Sequence, residues 1–171
     1  AIYTNPLAFG VRTDLLAELA FGPTSDAYRR LVLDEQTVEF LAADVGASRD
    51  PGLLDVYARI KEPARLAEVL DVLTRTVDTL RHDPPAPARL AALKSRLRYD
   101  FLLGLETPDA LAERVARPLA LSGGLDALEA LYAAYERVTP EDVQAAAREY
   151  LEASRSTIGI LLPVSTSQSP P

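Results

Sequence analysis

The sequence predicts an α+β domain, a two-layer sandwich in which helices cover one face of a mostly antiparallel sheet. Three observations carry this. Two strand-like segments, Thr37–Val45 and Leu54–Ile60, flank a Pro51-Gly52 turn. Several segments of helical periodicity then follow one another with no strand between them. A short apolar run with a β-branched start, Thr157–Leu162, closes the pattern. Helices grouped together, rather than alternating with strands, belong to folds that lay helices on one face of an antiparallel sheet.

Taken in order, Ala1–Gly10 is apolar and reads as a strand or as an arm that needs a partner. From Asp14 the pattern turns helical: Leu15, Leu16, Leu19 and Ala20 share a face, and Gly22-Pro23 ends it. Thr24 or Ser25 caps a second helix carrying Tyr28, Leu31 and Val32, with Asp34-Glu35-Gln36 near its end. The hairpin follows. Thr37–Val45 is β-branched and apolar, and Leu54, Val56, Ala58 and Ile60 alternate onto one face. Arg49-Asp50-Pro51-Gly52 has Pro and Gly in the order of a type II turn. Beyond Pro63, Leu66, Val69, Leu70, Leu73, Val77 and Leu80 recur at helical spacing. The Pro84-Pro85-Ala86-Pro87 break separates that helix from one lined by Leu90, Leu93, Leu97 and Phe101. Thr107-Pro108-Asp109 caps a further helix, which Pro118 kinks or ends before the Ser122-Gly123-Gly124 break. Leu125, Leu128, Leu131 and Tyr135 mark the next helix. Thr139-Pro140-Glu141-Asp142 opens the last, which runs to Tyr150-Leu151. Thr157–Leu162 is expected as a buried strand. The boundaries follow as one domain over residues 1–163 and a polar, proline-rich flexible tail over 164–171. With no methionine among its 171 residues, the chain reads as processed or cut from a longer protein.

Composition excludes several functions. A net charge of −7 argues against nucleic acid, whose phosphates need a basic face. Arg29-Arg30 and the Lys94, Arg96, Arg98 run read as solvated helix faces. Apolar runs such as Ile158–Leu162 are far too short to cross a bilayer, and no signal peptide is visible. The absence of cysteine rules out disulfides without fixing a compartment.

Candidate chemistry is sparse. His82 is the single histidine, so it is the one candidate for every imidazole role, whether zinc ligand or base for a nucleophile. Followed by Asp83-Pro84-Pro85, it reads as an exposed helix exit. Ser122-Gly123-Gly124 lacks the G-x-S-x-G and G-x-x-x-x-G-K-[ST] patterns and reads as a turn. Asp34, Glu35 and Glu39 read as solvated carboxylates, and Tyr28, Tyr57, Tyr99, Tyr132, Tyr135 and Tyr150 as core and rim packing. Residue types alone thus predict a soluble α+β domain without a recognisable active site.

Two stretches resemble the M16 zinc peptidases, the pitrilysin and insulinase family. One is Asp14-Leu-Leu-Ala-Glu-Leu-Ala-Phe-Gly22 with Thr24-Ser25-Asp26-Ala27-Tyr28-Arg29-Arg30-Leu31-Val32-Leu33-Asp34-Glu35-Gln36. The other is Val138-Thr139-Pro140-Glu141-Asp142-Val143 followed by Tyr150-Leu151. The likeness spans roughly Thr13 to Pro163 in the family's order. It implies a family whose subunits pair two similar α+β domains, the first carrying an H-x-x-E-H zinc motif. One histidine cannot make that motif, so the chain resembles the second, non-catalytic domain of a bacterial-type enzyme. Zinc is then expected in a partner domain or subunit and no cofactor in this chain; the implied partners are that zinc-bearing domain and a peptide substrate, with a homodimer left open. The second domain usually adds an Arg and a Tyr, spaced R-x-x-x-x-x-x-Y, as oxyanion donors. Aligned on Glu35-Gln36, those positions hold Val32 and Glu39, so the pair is expected to be absent. A catalytically dead scaffold or peptide-binding module with the same fold is the alternative, and an unrelated helical adaptor a third.

Overall fold

The computed structural model describes residues 6–45, 53–103, 107, 109, 112, 116 and 126–162. Its longest early element is a helix, α1 (Pro6–Phe21), which begins eight residues before the predicted start at Asp14. Residues 6–10 are therefore helical, not the predicted strand or arm. Further along the helix Val11, Thr13, Leu15, Leu16, Ala17, Leu19, Ala20 and Phe21 are all almost inaccessible. A helix buried on nearly every side carries no amphipathic stripe for the sequence to display. Thr13 tolerates this by donating its hydroxyl to Gly10 O at 3.0 Å. Gly22 ends the helix because a Cβ there would sit 2.5 Å from the Glu18 carbonyl oxygen.

Ser25 caps α2 (Asp26–Tyr28), accepting the Tyr28 N–H at 3.0 Å. The helix widens into a π-type turn over Arg29–Asp34, and Gln36, at φ 51°, turns the chain into the strand. Strands β1 (Val38–Val45) and β2 (Leu54–Ile60) pair antiparallel, as predicted; the turn at 49–52 lies outside the described residues. The register shifts between Val38, opposite Ile60, and Phe40, opposite Arg59, so Glu39 is an inserted residue.

A short 3-10 turn at Pro63–Arg65 leads into α3 (Leu66–His82), and α4 spans Pro87–Leu103. The predicted helix at Thr107–Pro118 lies largely outside the described residues, although Asp109, Ala112 and Ala116 are helical; Ser122–Gly124 lies outside them too. Next come α5 (Asp126–Arg137) and α6 (Pro140–Tyr150). Thr139 opens α6 through a reciprocal cap: its hydroxyl accepts the Asp142 N–H at 3.2 Å, and Asp142 Oδ2 accepts the Thr139 N–H at 2.9 Å.

Two packed clusters share α1. In one, Val11, Leu15, Leu16 and Leu19 meet Leu90 and Leu93 of α4 and Val143, Ala146 and Ala147 of α6. In the other, Ala20 and Phe21 meet Ala27, Leu31, Val38 and Leu41, with Val69 and Val72 of α3. The architecture is thus helix-rich, with a two-stranded antiparallel sheet whose inner face rests on helices.

The closing strand is a correction. Among the described residues Thr157–Leu162 pairs with nothing and is exposed throughout, Leu161 completely so. Its composition suits a strand, but strand structure requires a neighbour to supply hydrogen bonds, and the only described ladder joins β1 to β2.

Candidate functional site

Val32 lies in the turn after α2, half-buried and packed against the cluster beneath the hairpin. Glu39 is exposed at the bulge, 3.9 Å from Arg59. Val32 is thus partly withdrawn into the core, whereas Glu39 is open to solvent. Leu33 and Phe40, one step on, keep the same separation and are both exposed, yet neither side chain can donate a hydrogen bond. Asp34 and Glu35 do not converge either: Asp34 pairs with Arg29 at 3.6 Å and Glu35 with Arg30 at 2.6 Å.

His82 is the last residue of α3 and exposed, with Nδ1 2.7 Å from Asp78 O. It thus occupies the predicted helix exit. Zinc needs three or four His, Cys or carboxylate donors around one point. Among the described residues no three such side chains come together, and the one imidazole stands apart, so these residues do not fit zinc.

The basic run on α4 is less solvated than expected. Lys94 Nζ donates to Glu136 O at 2.9 Å and Val138 O at 2.7 Å, closing the end of α5. Arg96 bridges Glu18 of α1 and Asp100, and Arg98 alone is exposed. A depression of about 360 Å³ lies beside Leu90, Lys94, Val138 and Pro140. The ammonium on its wall is occupied by those carbonyls.

One polar pair escaped the sequence reading. Tyr135 of α5 donates its hydroxyl to Asp14 Oδ2 of α1 at 2.7 Å. Burial pushes the Asp14 carboxyl from 3.8 up to about 6; the Tyr135 bond opposes this, and Asp44 and Glu18 add to it. The Tyr135 phenol is raised well above its usual range, first by burial and then by Asp14. Asp14 and Glu18, one turn apart on a mostly apolar helix whose other charge is Arg12, were the available signal.

The remaining surface of note is the outer face of the hairpin. Strand alternation after the bulge puts Phe40, Ala42 and Asp44 there, opposite Arg59, Tyr57 and Asp55. Tyr57 and Tyr99 are exposed, unlike Tyr135, which packs against the α1 cluster.

No family model matches the chain. By sequence it is similar to an uncharacterized zinc protease of Mycobacterium bovis, 32% identical over 102 residues, 60% of this chain and 23% of that protein. A second, from Mycobacterium leprae, is 29% identical over 132 residues, 77% of this chain and 29% of that one. The chain thus spans about a quarter of the length of these curated relatives. Among solved structures, the inactive peptidase domain of a protein described as a zinc protease, from Bordetella parapertussis, superposes with a TM-score of 0.77. The match has 24% identity and covers 98% of this chain and 88% of that one. The inactive domain of a peptidase M16 from Pseudomonas fluorescens gives 0.69 at 12% identity, covering 83% of this chain and 34% of that one. By fold the chain matches the inactive domains of M16 peptidases, and by sequence it is related to proteins named as zinc proteases.

Proposed function

We propose that the chain is the non-catalytic domain of an M16-type zinc metallopeptidase, which helps to enclose and position a peptide. The observation that carries this is the fold match to an inactive peptidase domain over nearly the whole chain. A donor-poor composition agrees with it: one His and no Cys. Zinc would sit in a partner domain or subunit. Residues 1–163 would form one domain, its hairpin part of a larger two-layer sandwich, with 164–171 as a tail. Among the described residues the two-stranded sheet has open edges, where an extended peptide would add a strand through main-chain hydrogen bonds.

The test combines metal analysis with cleavage of a quenched fluorescent peptide. Expected is no stoichiometric zinc and no cleavage by this chain alone, with chelator-sensitive cleavage once the zinc-bearing domain is added. Tight zinc in this chain, or cleavage by it alone, overturns the reading.

A second reading is a catalytically dead scaffold that holds peptide without supporting cleavage. Val32 and Glu39 favour it, since neither can donate to an oxyanion as Arg and Tyr would. A zinc-bearing partner that cleaves equally well with and without this chain would select it.

A further inference from the structure

Among the described residues, no helix or strand lies upon the outer face of the β1–β2 hairpin, although half of it is apolar. Phe40 is 53% exposed and Tyr57 56%, with Ala42 directly opposite Tyr57. On a twisted antiparallel pair, Phe40 and Tyr57 are diagonal neighbours, close enough for one inserted side chain to touch both rings. The charges on this face are unevenly placed. At one end Arg59 stands opposite Phe40 and is engaged by Glu39 at 3.9 Å. At the other end Asp44 and Asp55 are directly opposed and exposed, and among the described residues neither has an ion-pair partner. Like charges directly opposite destabilise a strand pair, so a cation placed there offsets a cost the hairpin already bears.

From these positions we infer that the outer hairpin face docks an extended peptide with an apolar side chain followed by basic ones. The apolar residue packs between Phe40 and Tyr57, and the basic residues lie against Asp44 and Asp55. Charge complementarity selects this occupant. An acidic partner is repelled, and a second copy brings its own net charge of −7 with its Arg59 already paired to Glu39. The inference rests on the reading of the chain as a peptide-enclosing domain, and adds the class of peptide.

The test is fluorescence anisotropy on the 171-residue chain with two fluorescein-labelled peptides. Both share an apolar core of Val, Leu and Phe; one ends in Arg-Lys-Arg, the other in Glu-Asp-Glu. The basic peptide should bind about fivefold tighter at low ionic strength, the preference two exposed ion pairs together support, and lose that lead in high salt. The Asp44→Asn/Asp55→Asn double variant, which relieves repulsion and keeps the fold, should bring the two affinities together. Tyr57→Ala should weaken both, because its side chain leaves the inner face untouched. Equal binding of the two peptides overturns the inference and leaves the peptide-enclosing reading in place. Binding of neither overturns both. A preference that survives the double variant, or binding untouched by Tyr57→Ala, puts recognition elsewhere and overturns the inference. So does a dimer that Tyr57→Arg dissociates, because the face then belongs to a second copy.

Discussion

Among the carboxylates of the described residues, Asp14 is the one whose charge burial clearly opposes. One phenol holds it between α1 and α5, and the negative charges of Asp44 and Glu18 add to the cost of ionising it. Its folded carboxyl keeps a proton up to about pH 6, against 3.8 ordinarily. The native state therefore binds more protons than the unfolded chain between about pH 4 and 6. Stability falls as pH rises through that window, and the deficit is fully present above it. Asp14→Asn keeps an acceptor for Tyr135 and removes the charge. It should raise stability at neutral pH by about 2 kcal/mol and flatten the pH profile. Denaturant melts at pH 4 and pH 7 measure both; a variant that keeps the native slope rules Asp14 out as its source. This pair was illegible because its members are 121 positions apart, whereas His82 was legible from the two prolines that follow it. Val32 and Glu39 were legible as residue types that cannot donate, but not as one half-buried and one exposed position.

Among the elements, caps and breaks were the most readable features. Ser25, Pro63, Pro87 and Thr139 all stand where helices begin, since capping chemistry is local and needs no knowledge of the rest of the chain. Thr139→Ala removes the acceptor for the Asp142 N–H and leaves that acid's return bond unsupported. A loss of about 1 kcal/mol follows, seen as a fall of about 3 °C in Tm. Because α6 contributes Val143, Ala146 and Ala147 to the packed core, this loss should be global rather than confined to fraying of one end. A Tm unchanged within error would mean that packing alone holds the first turn. The features that could not be read are those set by the surroundings. α1 shows no clean polar stripe because most of its side chains from Val11 to Phe21 are buried. Thr157–Leu162 has the residues of a strand, but whether it becomes one depends on what lies beside it.

At the scale of the whole molecule, apolar surface is distributed unequally. From Val11 to Phe21 one long helix is almost entirely inside, while Ile158, Ile160, Leu161 and Leu162 are in water and both hairpin strands have an open edge among the described residues. Segments of this kind associate edge to edge when nothing covers them. Ile160→Lys should lower self-association, followed by light scattering, while Tm stays within the small range expected of a surface change. A fall in Tm would show that Ile160 is packed in solution, and unchanged scattering would show that association runs through another surface. The combination of many helices with an antiparallel hairpin was legible at this scale because it follows from element order, whereas the extent of the sheet follows from pairing.

The inserted residue at Glu39 bears on how such domains are compared. A strand has two-residue parity, and one extra residue inverts it for everything downstream. Relatives that share the spacing across Gln36–Phe40 but lack the insertion would present Leu41 and Ala43 to the open side and bury Phe40 and Ala42. Roles transferred along this strand therefore have to be carried by face, since an ungapped alignment would exchange lining for core.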